Sequence, residues 1–315
     1  MLSFAVRAAG LGLLVPAYFD PARPGNWEAL NQAAERVPLI AIMNPNDGPS
    51  SSVNPDYTRT VNALRSAGGR VIGYVHTSYT VRPLAEVKAD IDRYHAFYTI
   101  DGIFIDEMTN DSLAAHFAYY EALYRYTKAK RVSYLVVGNP GSRAAEGYVT
   151  RPTVDVLVTF ENNTGYPVYV PDPWTKAQPA TTFSHLCYGV ASAATMTSNV
   201  ELALARNVGY IYVTDDDGEE RWDTLPAYWP AEVSLVEASN RRMASEHPPR
   251  LILALPANGS LRLGVLGVPG RYVLQSSHDL TNWEAVATTV SPTGEFEFVL
   301  PHSSDQPARI FRAAQ

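Results

Sequence analysis

From Gly12 to about residue 245, short apolar, β-branched runs alternate with longer segments of helical period, the pattern of parallel strands joined by crossover helices. The runs are GLLVPAYF (12–19), VPLIAIMN (37–44), RVIGYVHT (70–77), DGIFIDE (101–107), VSYLVVGN (132–139), VDVLVTFE (154–161), FSHLCYGV (183–190) and VGYIYVTD (208–215). Eight of them predict an α/β fold of the closed (β/α)8, or TIM-barrel, type. Helical spacing marks 55–67, 84–98, 111–128 and 198–206, with Asp56 and the pair Asp111 and Ser112 as candidate N-caps. After residue 248 the helical period stops. LILALP, LRLGVLG, RYVLQSS, WEAVATTV, EFEFVL and ARIFRA, divided by Gly, Pro, Asn and Ser, read as strands of a small all-β sandwich. The expected division is a barrel over 1–247 and a β module over 248–315, with His247-Pro248-Pro249 as the linker.

Composition narrows the partners. A net charge of −7 over 315 residues provides no basic field for phosphates, which argues against nucleic acid and anionic membrane and leaves a neutral or cationic substrate. No run of about 18 apolar residues occurs, so no membrane span is expected. The start, MLSFAVRAAGLGLLVPAYFDP, has some character of a leader, but Arg7 interrupts it and no small-residue cleavage site follows. The single cysteine, Cys187, has no partner for a disulfide and reads as core; His185, two residues away, lacks the third group that would orient a nucleophilic pair. A P-loop, a GxSxG elbow and an HExxH helix are all missing.

In a barrel of this type, chemistry sits where strands end, so the polar residues that close the apolar runs are the candidates. They are Tyr18, Asn44, His76, Asp106 with Glu107, Asn139, Glu161 and Asp215. Burying an unpaired carboxylate or imidazole there is expensive, and convergence on one mouth explains the set, although Asp and Asn also serve as helix caps in such loops. Asp106, Glu107 and Glu161 supply carboxylates from two strand ends, as glycosidic hydrolysis requires: one acid for the leaving oxygen, one base or nucleophile. Because side chains alternate along a strand, Asp106 and Glu107 are expected to diverge unless the strand ends between them. Asn44, His76, Tyr79 and Asn139 are candidate sugar contacts, with a core role the alternative for His76. Tyr18, Tyr166 and Trp174 either stack on pyranose faces or pack. Tyr119, Tyr120, Tyr124 and Tyr126 fall on a helix away from the mouth. The run Asp215-Asp216-Asp217-Gly218-Glu219-Glu220 lacks EF-hand spacing and reads as a solvated acidic loop in which Asp215 is available to a cationic amino sugar.

LLVPAYFDP, IAIMNPNDGPS, VIGYVHTSYTVRP, DGIFIDE and VTFEN, in that order over about residues 11–220, resemble the spherulin-4-like glycoside hydrolases, spherulation-specific family 4. The resemblance implies a (β/α)8 barrel and a secreted or cell-surface enzyme. Its implied activity is cleavage of exopolysaccharide containing N-acetylgalactosamine, such as galactosaminogalactan. It also implies that the acidic cluster of that family lies at Asp106, Glu107 and Glu161. The roles go beyond the resemblance and follow from analogy with barrel glycosidases: Asp106 is expected to be the nucleophile, or to orient a substrate 2-acetamido group, Glu161 the general acid/base, and Glu107 to hold a hydroxyl or tune its neighbour. The β tail is a departure from the family pattern. A monomer acting on polysaccharide with neither metal nor organic cofactor is expected. The alternatives are a non-catalytic polysaccharide-binding or cell-surface protein, and a polysaccharide deacetylase, which needs a His/Asp metal cluster that the seven scattered histidines do not form.

Overall fold

The computed structural model describes residues 10–23, 25–219, 221–246, 250–254, 260–268, 270–291, 294–301 and 309–314. The leader-like residues 1–9, the His247-Pro248-Pro249 linker and Glu220 lie outside them. Eight parallel strands close in sequence order: β1 (Gly12–Ala17), β2 (Leu39–Met43), β3 (Arg70–His76), β4 (Gly102–Asp106), β5 (Leu135–Gly138), β6 (Val156–Asn162), β7 (Phe183–Cys187) and β8 (Tyr210–Val213). Closure comes from β1 on β8, with Gly12 opposite Tyr210 and Leu13 opposite Ile211. Because helices cover the outer face and side chains fill the inside, both faces of a strand are buried. That is why the runs read as continuously apolar rather than alternating.

The crossover helices are α1 (Asn26–Ala34), α2 (Pro55–Ser66), α3 (Leu84–Phe97), α4 (Ala114–Lys130), the single turn α5 (Gly147–Thr150), α6 (Ala193–Ala205) and α7 (Trp229–Glu246). Pro55 opens α2, and the cap is Asn54, not Asp56: Asn54 Oδ1 accepts from the Asp56 N–H at 2.9 Å. The sixth helix starts at Ala193 under a Ser192 cap, five residues before the helical spacing alone places it. In α7, Asn240 bonds both the N–H and C=O of Leu11 (2.7 and 2.8 Å), and Glu232 accepts from the Val213 N–H at 2.9 Å. One helix thereby fastens the two ends of the barrel seam.

All six tail strands form: β9 (Arg250–Ala254), β10 (Ser260–Leu266), β11 (Gly270–Ser277), β12 (Glu284–Ser291), β13 (Glu295–Pro301) and β14 (Ile310–Ala314). They make two antiparallel three-stranded sheets, β13-β10-β9 and β12-β11-β14, around a core of Leu263, Val265, Tyr272, Leu274 and Phe298 that is separate from the barrel core. Val290 of β12 approaches Gly68, just before β3, and a cavity of about 400 Å³ brings Glu35, Arg36 and Arg241 together with Gly270, Arg271 and Val273. The module therefore sits at the end where strands begin, opposite the mouth. Among the described residues no helix is long and apolar enough to cross a membrane.

Candidate active site

Asp106 is the last residue of β4, and period-2 alternation puts it on the inward face with Phe104; Tyr74 and His76 share the equivalent face of β3. Asn139 follows the end of β5 directly. Glu161 lies in β6 just past a one-residue register shift between Val158 and Phe160, a bulge of the kind that re-aims the residues after it. These three strand ends converge. The Asn139 amide nitrogen donates to Asp106 Oδ1 at 2.8 Å and to Glu161 Oε2 at 2.6 Å. Its orientation is not free, because Asn139 Oδ1 accepts from the Gly141 N–H at 2.9 Å, while the Gly141 carbonyl accepts from the Glu161 N–H at 3.0 Å. The turn needs glycine at 141, where φ is +64°. The two bonds to one nitrogen, 2.8 and 2.6 Å end to end, cap the separation of those two carboxyl oxygens at 5.4 Å.

Both carboxyls are recessed. Burial pushes Asp106 above the usual carboxylate range, while the Glu107 N–H, the Tyr74 phenol and the Asn139 amide pull it back by favouring the ionised form. Glu161 is pushed up to about 7 by burial and then by the charge of Asp106, against the Asn139 amide and the more distant Arg221 guanidinium. Two carboxyls this close titrate as a pair, and the better-donated one, Asp106, ionises first. Asn139→Ala is expected to move the upper titration step of the pair above about 7, because a donor that favours the carboxylate forms is gone. A ¹³C NMR titration of the carboxyl carbons reads this directly, and a step that stays or falls contradicts it.

The strand does end between Asp106 and Glu107. Glu107 has φ +52°, which turns it out of the mouth toward the loop after β3. Its Oε2 accepts from the Ser78 N–H at 3.0 Å and lies 3.5 Å from His76 Nδ1. Its carbonyl accepts from the Tyr79 N–H and the Thr77 hydroxyl, each at 2.8 Å. That loop is left-handed at three successive non-glycine residues, Ser78, Tyr79 and Thr80, with φ of 45°, 55° and 72°. Each such residue costs about 1–2 kcal/mol.

The mouth encloses about 220 Å³ lined by Tyr18, Asn44, Asp47, Tyr74, Asp106, Asn139, Glu161, Glu219, Arg221 and Trp222, over a floor of Pro16, Phe104 and Leu186. A second cavity of about 470 Å³ shares Tyr18 with it and is lined further by Asp20, Arg23, Asn26 and Asp223. Of the residues expected here, Tyr18, Asn44, Asp106, Asn139 and Glu161 line the mouth. His76 stands at the rim with its Nε2 3.8 Å from Asp47, and Tyr79 is 60% exposed outside it.

Three expected contacts lie elsewhere. Tyr166 is buried on the outer side of β6 and β7, against Phe160 and Tyr169, with its hydroxyl 2.8 Å from His185 Nδ1. Trp174 packs on Phe183, the first residue of β7, at the far end of the barrel. Asp215 turns to accept from the Ala227 N–H at 3.2 Å and braces the loop into α7 instead of facing the mouth. Of the lining residues that the strand-end reading passes over, Tyr74 was within its reach, two positions before His76 on the same strand face. Asp47, Glu219, Arg221 and Trp222 come from loops, where no periodicity marks direction. The four helical tyrosines are structural as expected: Tyr120 is buried, while the Tyr119, Tyr124 and Tyr126 hydroxyls donate to Arg82 O, Asp155 and Asp92.

A closed (β/α)8 barrel with two carboxyls recessed at the C-terminal ends of β4 and β6 is the class of protein that the fold and the mouth define. The chain belongs to spherulation-specific family 4, whose sequence profile matches residues 12–236. It is 33% identical over 249 residues to spherulin-4 of Physarum polycephalum, covering 75% of this chain and 73% of that one. Its fold is similar to that of Aspergillus clavatus Sph3, solved in complex with GalNAc, with a TM-score of 0.63 and 23% identity over 73% of this chain and 98% of that one.

Proposed function

We propose that this protein is a secreted or cell-surface glycoside hydrolase that cleaves an amino-sugar polysaccharide containing N-acetylgalactosamine, with retention at the anomeric carbon. The observation that carries the reading is the single Asn139 amide donating to both Asp106 and Glu161. It keeps the facing oxygens no more than 5.4 Å apart, on the retaining side of the ~6.5–9.5 Å that leaves room for water in inversion. Asp106, with three donors aimed at it, is the nucleophile; Glu161, which keeps its proton to about 7, is the acid.

In the first step an Asp106 oxygen attacks the anomeric carbon while Glu161 gives its proton to the departing glycosidic oxygen. In the second, Glu161 takes a proton from water, whose oxygen attacks the same carbon and releases Asp106. The oxocarbenium-like charge between them is met by Asp106 and the electron-rich Tyr18 and Tyr74 rings, which pack edge to face at 5.8 Å. The mouth has the size of a single sugar ring, and the cavity beyond Tyr18 extends it for further units, consistent with internal cleavage of a chain. The GalNAc held by the similar Sph3 fold supports the choice of sugar. We assign this chemistry to residues 1–247 and a separate accessory role to the β module at 248–315, whose place at the opposite end keeps it clear of the cleft.

The test is a panel of exopolysaccharides, N-acetylated and deacetylated galactosamine polymers among them, incubated with wild type and followed by reducing-end release. Oligosaccharides released from an N-acetylgalactosamine polymer are expected. Inertness on every polymer overturns the reading.

A further inference from the structure

The three left-handed residues of the β3 loop present an unusual combination: the backbone is strained, yet the side chain at its centre is not buried in return. Tyr79 is 60% exposed and, among the described residues, makes no ring contact. A glycine at 78, 79 or 80 would relieve the conformation. Strain that no packing requires, next to a reactive carboxyl, points to function. The loop is held by several groups, with His76 Nδ1 3.2 Å from Ser78 Oγ and the Thr77 hydroxyl 3.2 Å from that of Tyr120, and Glu107 contributes three of the bonds. Glu107 accepts the Ser78 N–H through Oε2 and the Tyr79 N–H and Thr77 hydroxyl through its carbonyl. Arg82 Nη1, donating to His76 O at 3.1 Å, closes the other end.

Resting on the glycosidase reading, we propose that Glu107 is a positioning residue, not a reactant. Its side chain works as a hydrogen-bond acceptor that locks the left-handed loop and so presents the Tyr79 ring at the rim as a stacking platform for a sugar unit beyond the cleavage site. Of the three carboxyls in the acidic cluster, two then react and one holds the substrate's track. An exposed phenol ring suits the C–H face of a pyranose, and the loop's attachment to the residue after Asp106 ties the platform's height to the nucleophile.

The acceptor function separates from acidity in one substitution. Glu107→Gln keeps a carbonyl oxygen for the Ser78 N–H but carries no titratable proton, so its kcat and KM on the N-acetylgalactosamine polymer are expected within about twofold of wild type. Glu107→Ala and Tyr79→Ala are each expected to raise KM about tenfold, with kcat within about threefold, and the double variant to be no worse than either single one. A Glu107→Gln enzyme whose kcat collapses as in Asp106→Asn overturns the proposal, as does full additivity of Glu107→Ala with Tyr79→Ala. Because Glu107→Gln is isosteric, its result stands even where the alanine variant unfolds. Calorimetric titration of N-acetylgalactosamine oligosaccharides into Asp106→Asn, with and without Tyr79→Ala, separates the two readings. Tyr79-dependent binding beside an inert wild type removes the hydrolase and keeps the platform, whereas binding indifferent to Tyr79 removes the platform alone.

Discussion

Asp106→Asn is expected to lower kcat/KM on the N-acetylgalactosamine polymer by about 10⁴-fold or more, the largest effect of any single substitution in this molecule. An amide is a poor nucleophile at carbon, so the covalent step is lost, whereas the shape of the mouth is preserved. Asparagine at 106 still offers an oxygen to the Asn139 amide, so the bridge to Glu161 survives on one side. The fold is expected to tolerate the change. A carboxyl whose pKa is raised by burial binds its proton more tightly folded than unfolded, so its contribution to stability is present at low pH and is lost as pH rises through the folded value. At pH 8 the variant should therefore melt no lower than wild type. A small, dead, cooperatively folded Asp106→Asn enzyme is the expected result, read by reducing-end release and thermal melting together. Asp106→Ala with added azide supplies the stereochemical half: a glycosyl azide of inverted configuration marks Asp106 as the missing nucleophile. Activity within tenfold of wild type in Asp106→Asn would remove the assignment.

The barrel was legible because its strands are buried on both faces, so apolar runs stand out without register being known, and several of the runs, though not the eighth with its Asp215, end at a residue that faces the mouth. Asp106, Asn139 and Glu161 all follow that rule. It fails for two kinds of residue. The first is the aromatic in a loop: Tyr166 and Trp174 have the chemistry of sugar platforms, but the loops after β6 fold back along the outer wall and toward the strands' starting end, where rings fill gaps between Phe160, His185 and Phe183. The second is the residue whose direction depends on backbone conformation. Glu107 reads as a twin of Asp106, and only the positive φ at its own Cα shows that it serves the neighbouring loop. Left-handed residues other than glycine leave no mark in composition or spacing, so the Ser78–Thr80 turn had no signal at all. Arg221 and Trp222 were masked differently, by an acidic run next to them that drew the reading to Asp215.

Glu161→Gln tests the other half of the pair, and its signature is in pH as much as in rate. The wild-type acid must hold a proton to release the leaving group, and its pKa of about 7 places the alkaline fall of kcat/KM near that value. Glutamine removes the proton donor and with it that limb: the expected profile is flat through the neutral range at a level about 10²–10⁴-fold below the wild-type optimum. The loss should depend on the leaving group. A polymer's sugar alkoxide needs the proton and suffers in full, while an aryl N-acetylgalactosaminide with an acidic phenol departs unaided and should recover most of its first-step rate. Glu161 is still protonated and neutral while Asp106 ionises, so the acidic limb, set by the nucleophile, is expected to stay close to its wild-type position. A Glu161→Gln profile that retains the limb near 7, or a loss equal for polymer and aryl substrate, would transfer the acid's role to another group. Asp47 and Glu219 are the remaining carboxylates on the mouth to examine in that event.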